Sequence, residues 1–252
     1  MPTATAGGDR GLGRIRIYEL DSRSGIWTQQ SSDDNNLVGI QGGGIVNDAV
    51  LSLLGNVLAY TDVDNIVWVF QWDGKEWAPL GQQLPVTTAD DEWGVSLDLF
   101  QTIYDGGALV LAIGFAERSS HGNAVGNVLV FEYEEANLRW VQRGSTIQGA
   151  RPYNMAGRVY LSEGYGDGSV LAVTSPAERQ LTGALASRVQ MFRFQDGEWS
   201  QWGPDIRDDV PYFGVKCSLS GDLGDPFGVG RVILAAASLE SVKVFEAIPD
   251  SD

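Results

Sequence analysis

Histidine and cysteine, the side chains that most often build nucleophiles and metal sites, occur once each in this chain of 252 residues. His121 falls in Ser119-Ser-His-Gly-Asn123, a loop composition, and one imidazole provides neither a histidine metal cage nor a Ser-His-Asp triad with any redundancy. Cys217 alone allows no intramolecular disulfide and no cysteine zinc cluster, and strand alternation directs its thiol inward, as a buried and inert group. The glycine-rich stretches Gly42-Gly-Gly44 and Gly164-Tyr-Gly-Asp-Gly168 lack the following helix and the Lys-Ser/Thr of a phosphate cradle, so they read as turns. Carboxylates are the abundant reactive type. A glycoside-cleaving pair needs two carboxyl groups at a set separation, but with 33 acidic side chains the spacing selects no pair.

The same acids limit the partners. Thirty-three acidic against 17 basic side chains leave a net charge of −16. Such a surface repels nucleic-acid phosphates and anionic lipid headgroups, which argues against a nucleic-acid ligand. No apolar run approaches the roughly 18 residues of a membrane span, so no membrane insertion is expected. The first ten residues lack the apolar stretch of a secretory signal.

The aromatic residues have a spacing that organises the whole chain. Five segments share one pattern: Ile15-Arg-Ile-Tyr18-Glu-Leu20, Val67-Trp-Val-Phe70-Gln-Trp72, Val128-Leu-Val-Phe131-Glu-Tyr133, Val189-Gln-Met-Phe192-Arg-Phe194 and Val242-Lys-Val-Phe245-Glu-Ala247. A tryptophan follows each of the first four (Trp27, Trp77, Trp140, Trp199), seven or nine residues after the aromatic, a difference of two that keeps strand parity. Trp72-Asp-Gly-Lys-Glu-Trp77 and Phe194-Gln-Asp-Gly-Glu-Trp199 read as hairpins with Asp-Gly at the turn. Four residues after Trp77, Trp140 and Trp199 stands a glycine (Gly81, Gly144, Gly203), then an aliphatic (Leu84, Ile147, Ile206); Ser31 replaces the glycine in the first copy.

Two further strand types complete a unit of about 50 to 60 residues. One ends in Leu-Ser or its like (Val50-Leu-Ser52, Val95 to Leu99, Val159 to Ser162, Cys217 to Ser220), and one centres on Leu-Ala (Leu58, Leu111, Leu171, Leu234). The aromatic strand is apolar on both faces, Val67 and Val69 on one and Phe70 and Trp72 on the other, so it must be covered on both. The expected fold is all-β, a β-propeller of four-stranded antiparallel blades spanning residues 14–247, between a flexible segment 1–13 and a tail 248–252. Five aromatic strands against four of every other type predict four to five blades, either closed by pairing the N-terminal Trp27 strand with the C-terminal strands or left as an incomplete part of a larger ring, which would allow self-association through an open blade edge.

The cycle of Trp93-Gly94 or Phe213-Gly214, a Leu-Ser strand, Leu111 to Gly114, and Val-x-Val-Phe with Asp-Gly-x-x-Trp resembles the FG-GAP repeat family of integrin-α-like propellers. The resemblance implies a recognition or adhesion module at a cell surface or outside the cell, binding a protein or glycan partner through blade loops, with no catalytic residues. It also implies calcium in some turns between the first two strands of a blade. The nearest approach to such ligands is Asp222 with Asp225, or Glu163 with Asp167, and neither has a complete ladder of oxygen ligands. A lectin-like reading would use Trp68, Trp93 and Trp202 as sugar-stacking platforms, against packing between blades. A third reading is a glycoside hydrolase-like propeller; the Asp-Gly-x-x-Trp turns resemble sialidase Asp-boxes but lack the Ser-x-Asp start.

Overall fold

A computed structural model describes residues 14–30, 37–38, 48–62, 65–86, 92–101, 108–117, 126–149, 157–162, 169–179, 185–208, 210, 212–220 and 232–247. The expected terminal segments, 1–13 and 248–252, lie outside the described residues. The described residues are strands and turns, without helix. The chain opens with β1 (Arg14–Ile15), β2 (Tyr18–Asp21), β3 (Ile26–Gln29) and β4 (Leu37–Val38). β2 and β3 form a hairpin and β1 pairs with β4, so this start is the outer half of a blade.

Three complete blades follow. Blade I holds β5 (Ala49–Leu51), β6 (Val57–Thr61), β7 (Ile66–Trp72), β8 (Trp77–Pro79) and β9 (Leu84–Pro85). Blade II holds β10 (Glu92–Gln101), β11 (Leu109–Glu117), β12 (Asn127–Glu134), β13 (Arg139–Gln142) and β14 (Ile147–Gln148). Blade III holds β15 (Arg158–Ser162), β16 (Val170–Arg179), β17 (Leu185–Gln195), β18 (Glu198–Gln201) and β19 (Ile206–Asp208). In each, four antiparallel strands run in chain order, and the short last strand returns to pair with the start of the third. The last sheet, blade IV, has only β20 (Lys216–Ser220), β21 (Val232–Ala237) and β22 (Val242–Ala247).

The short β9, β14 and β19 are an addition to the four-strand unit read from sequence. They carry the aliphatics that trail each tryptophan, pairing Leu84 with Val67, Ile147 with Val128 and Ile206 with Val189. The hairpin turns use the expected residues. Asp196 and Gly197 both have positive φ, at 53° and 82°, as a two-residue turn requires. In the longer turn at residues 73–76, Gly74 alone has positive φ, while Asp73 accepts the amides of Lys75 and Glu76.

The two faces of the third strand explain the stacking. Val67 and Val69 pack forward on blade II, against Leu97, Leu111 and Trp140. Val128 and Val130 pack forward on blade III, and Val189 and Met191 on blade IV. Ile17 of the opening half blade packs on Leu58, Tyr60, Phe70 and Trp77 of blade I. Each such aliphatic, fully buried, contributes about 1.5–3 kcal/mol, so adjacent blades rather than single sheets are the stable unit. The first strands β5, β10, β15 and β20 are neighbours in succession without being hydrogen-bonded partners. The architecture is a β-propeller, present as an open arc.

Candidate functional site

The chemistry-bearing side chains converge at the seams between blades. In blade II, the Trp140 indole, 3% exposed, donates Nε1–H to the Leu80 carbonyl of blade I at 2.9 Å. Its backbone is clamped by Gln82, which accepts the Trp140 amide at 2.9 Å and donates to the Trp140 carbonyl at 2.7 Å. Trp199 of blade III repeats the bond, donating to the Arg143 carbonyl of blade II at 2.9 Å. The residue after each acceptor is the repeat glycine. Gly81 and Gly144 have φ of +77° and +75°, and a Cβ at either would lie 2.8 Å from the indole Cδ1 above it. Glycine is therefore demanded twice over, by backbone conformation and by the seated indole.

A second tie joins the first strands. Asp48 accepts the Leu97 amide of the next blade through Oδ2 at 2.9 Å. Asp98 accepts the Leu161 amide at 2.6 Å and its neighbour's, Leu99, at 3.0 Å. Burial raises the Asp98 carboxyl to about 6, partly opposed by those two amides and aided by the nearby Asp48 charge. Asp98 lies within β10. Around Gly144 the seam carries charge as well: Glu198 accepts the amide and hydroxyl of Ser145, and the Arg143 guanidinium sits 4.2 Å from the Phe194 ring centroid.

The sugar-stacking candidates fall as follows. Trp68 is half-buried, packs against the seam between the opening half blade and blade I, and donates Nε1–H to Asp62 Oδ2 at 2.8 Å. Trp202 is half-buried against the seam of blades III and IV. Trp93 lies on β10. Trp68 and Trp202 thus stand at different seams. The calcium candidates Asp222, Asp225, Glu163 and Asp167, and also His121, lie outside the described residues. Among the described residues there is no group of three or more His, Cys, Asp or Glu able to hold a metal ion. Cys217 is partly buried against the seam of blades III and IV, and burial pushes its thiol up to about 12, away from nucleophile chemistry.

The seam of the opening half blade holds the Trp77 indole nitrogen and the Tyr60 hydroxyl, buried polar groups without a hydrogen-bond partner among the described residues. This is the copy in which Ser31 stands where the other copies have glycine. Sequence reasoning found the Trp and Gly positions but missed Asp48, Asp98 and Gln82, which act across blades and leave no local pattern.

No protein-family model matches the chain, and no curated protein matches it. Among solved structures, it is similar to KlAtg21 in its complex with the coiled coil of AgAtg16, at 14% identity and TM-score 0.54, over 98% of this chain and 62% of that one. It is similar to the fungal lectin of Aleuria aurantia, described as a six-bladed propeller with a novel fucose recognition mode, at 13% identity and TM-score 0.55, over 93% and 70%. It is also similar to a PL25 ulvan lyase, at 12% identity and TM-score 0.54, over 97% and 61%. The chain thus spans less than two thirds of the first and third of these. They share its fold, the β-propeller, and as a group include a lectin, a polysaccharide lyase and a protein bound to a coiled coil.

Proposed function

We propose that this chain is a non-catalytic β-propeller recognition module that binds a protein or glycan partner through the loops at its blade ends. One observation carries the reading: the side chains that recur at the seams are engaged in joining blade to blade. Trp140 and Trp199 bond the preceding blade, and Asp48 and Asp98 bond the following one. Specificity then belongs to the loops, which vary between copies in length and composition. The acid-rich sequence, with a net charge of −16, favours a basic or neutral partner over a polyanion.

The test is a basic-peptide array and a glycan array probed with the same purified chain, beside a polysaccharide hydrolase and lyase panel. Saturable binding without product release is expected. Product release that disappears in Asp98→Asn or Asp48→Asn, with the fold intact, would overturn the reading. The lectin-like alternative draws support from the likeness to the fungal lectin. Its expected signature is glycan retention weakened at least tenfold by Trp68→Ala, Trp93→Ala or Trp202→Ala, about the loss of one good stacking contact.

A further inference from the structure

The arc ends in two apolar faces, and they are the two halves of one interface. In every internal seam, the aliphatic pair of a third strand meets the aromatic of the next third strand and the following tryptophan. Between blades II and III these are Val128 and Val130 against Phe192 and Trp199. By register, Val242 and Val244 of β22 stand where Val128 and Val130 do, but they are 66% and 68% exposed. By the same register, Tyr18 and Trp27 of the opening hairpin stand where Phe192 and Trp199 do, and Trp27 is 64% exposed. Among the described residues the two faces do not meet. Contiguous exposed apolar surface of this kind marks an interaction site.

We infer that the open face of blade IV receives the open face of the opening half blade from a second copy of this chain, head to tail. The occupant follows from continuity: the interface is the one the chain already closes internally, and one copy carries both complementary halves. Because the halves differ, the contact is heterologous, and it propagates unless the rotation closes a ring. The inference does not depend on which ligand the loops bind.

Light scattering of the full chain over a concentration series tests this. Wild type is expected to gain mass with concentration. Val244→Lys and Trp27→Lys each change a side chain already in solvent, so both keep the unfolding midpoint of dilute, monomeric wild type, and each is expected to weaken self-association at least about tenfold. Mixing the two variants is the decisive arm. The Val244→Lys copy keeps its Trp27 face and the Trp27→Lys copy keeps its Val244 face, while the two faces left over carry like charge, so the mixture forms a two-chain complex and nothing larger. A wild type that stays monomeric at all concentrations, or an association that survives both substitutions, would overturn the inference. So would a mixture that forms no heterodimer.

Discussion

At the residue scale, the repeat glycines separate two costs that usually come together. Gly144 and Gly203 have nearly the same φ, +75° and +78°, but a Cβ on Gly144 would meet the Trp199 indole at 2.8 Å, whereas a Cβ on Gly203 would meet nothing within 4 Å. Gly203→Ala is therefore expected to cost about 1 kcal/mol, the strain of a left-handed alanine. Gly144→Ala carries that strain plus displacement of Trp199, about 3 kcal/mol in all. Equilibrium denaturation of the two variants measures the difference. Asp98 supplies a second residue-scale prediction. Its folded-state value of about 6 lies above the ordinary 3.8. Between those values the folded chain binds more protons than the unfolded one, so this group's stabilisation is full below pH 4 and lost as pH rises through 6. Its share of the decline between pH 4 and 7 is roughly 1–3 kcal/mol. Subtracting the Asp98→Asn profile from that of wild type isolates it, and a difference that is flat over this range counts against the assignment.

At the element scale, the fourth strands of blades II and III are held by hydrogen bonds to the preceding blade as well as by their own sheets. Gln82→Ala removes both bonds to the Trp140 backbone and is expected to cost about 1–2 kcal/mol in chemical denaturation. These links also show how far the sequence can be read. The third-strand aromatic, the tryptophan and the glycine were legible because each recurs at a fixed distance within one blade. Leu84, Ile147 and Ile206 were visible as trailing aliphatics but not as strands, because two or three residues are too few to show a period. Asp48 and Asp98 were lost among the 33 acids, since each bonds an amide 49 or 63 residues away. Gln82 reaches 58 residues to Trp140 and leaves no local mark either. The stacking candidates show the reverse limit: composition singles out Trp68 and Trp202, whereas only packing shows them half-buried at different seams.

At the scale of the whole molecule, the arc is a series of seams of unequal completeness. Blades I, II and III have all their strands and are covered on both faces. The opening hairpin and blade IV are each covered on one face, and the first seam holds the unpartnered Trp77 nitrogen and Tyr60 hydroxyl. Nearest-neighbour stacking then predicts a gradient of local stability. In hydrogen exchange, the amides of β11, β12 and β16 are expected to outlast those of β2, β3 and β22 by at least about a hundredfold, and equal protection would contradict the seam account. The same logic separates stability from recognition. Residues at the seams should move the unfolding curve, and residues in the loops should move binding.

The most direct test is to run wild type, Asp98→Asn and Gln82→Ala side by side in two assays, pH-dependent unfolding and retention on the peptide and glycan arrays. The account predicts altered unfolding, with the Asp98→Asn change concentrated between pH 4 and 7 and the Gln82→Ala change present throughout, and an array profile that matches wild type for both. A variant that unfolds like wild type but loses retention, or wild type that releases product from an arrayed glycan, would contradict it.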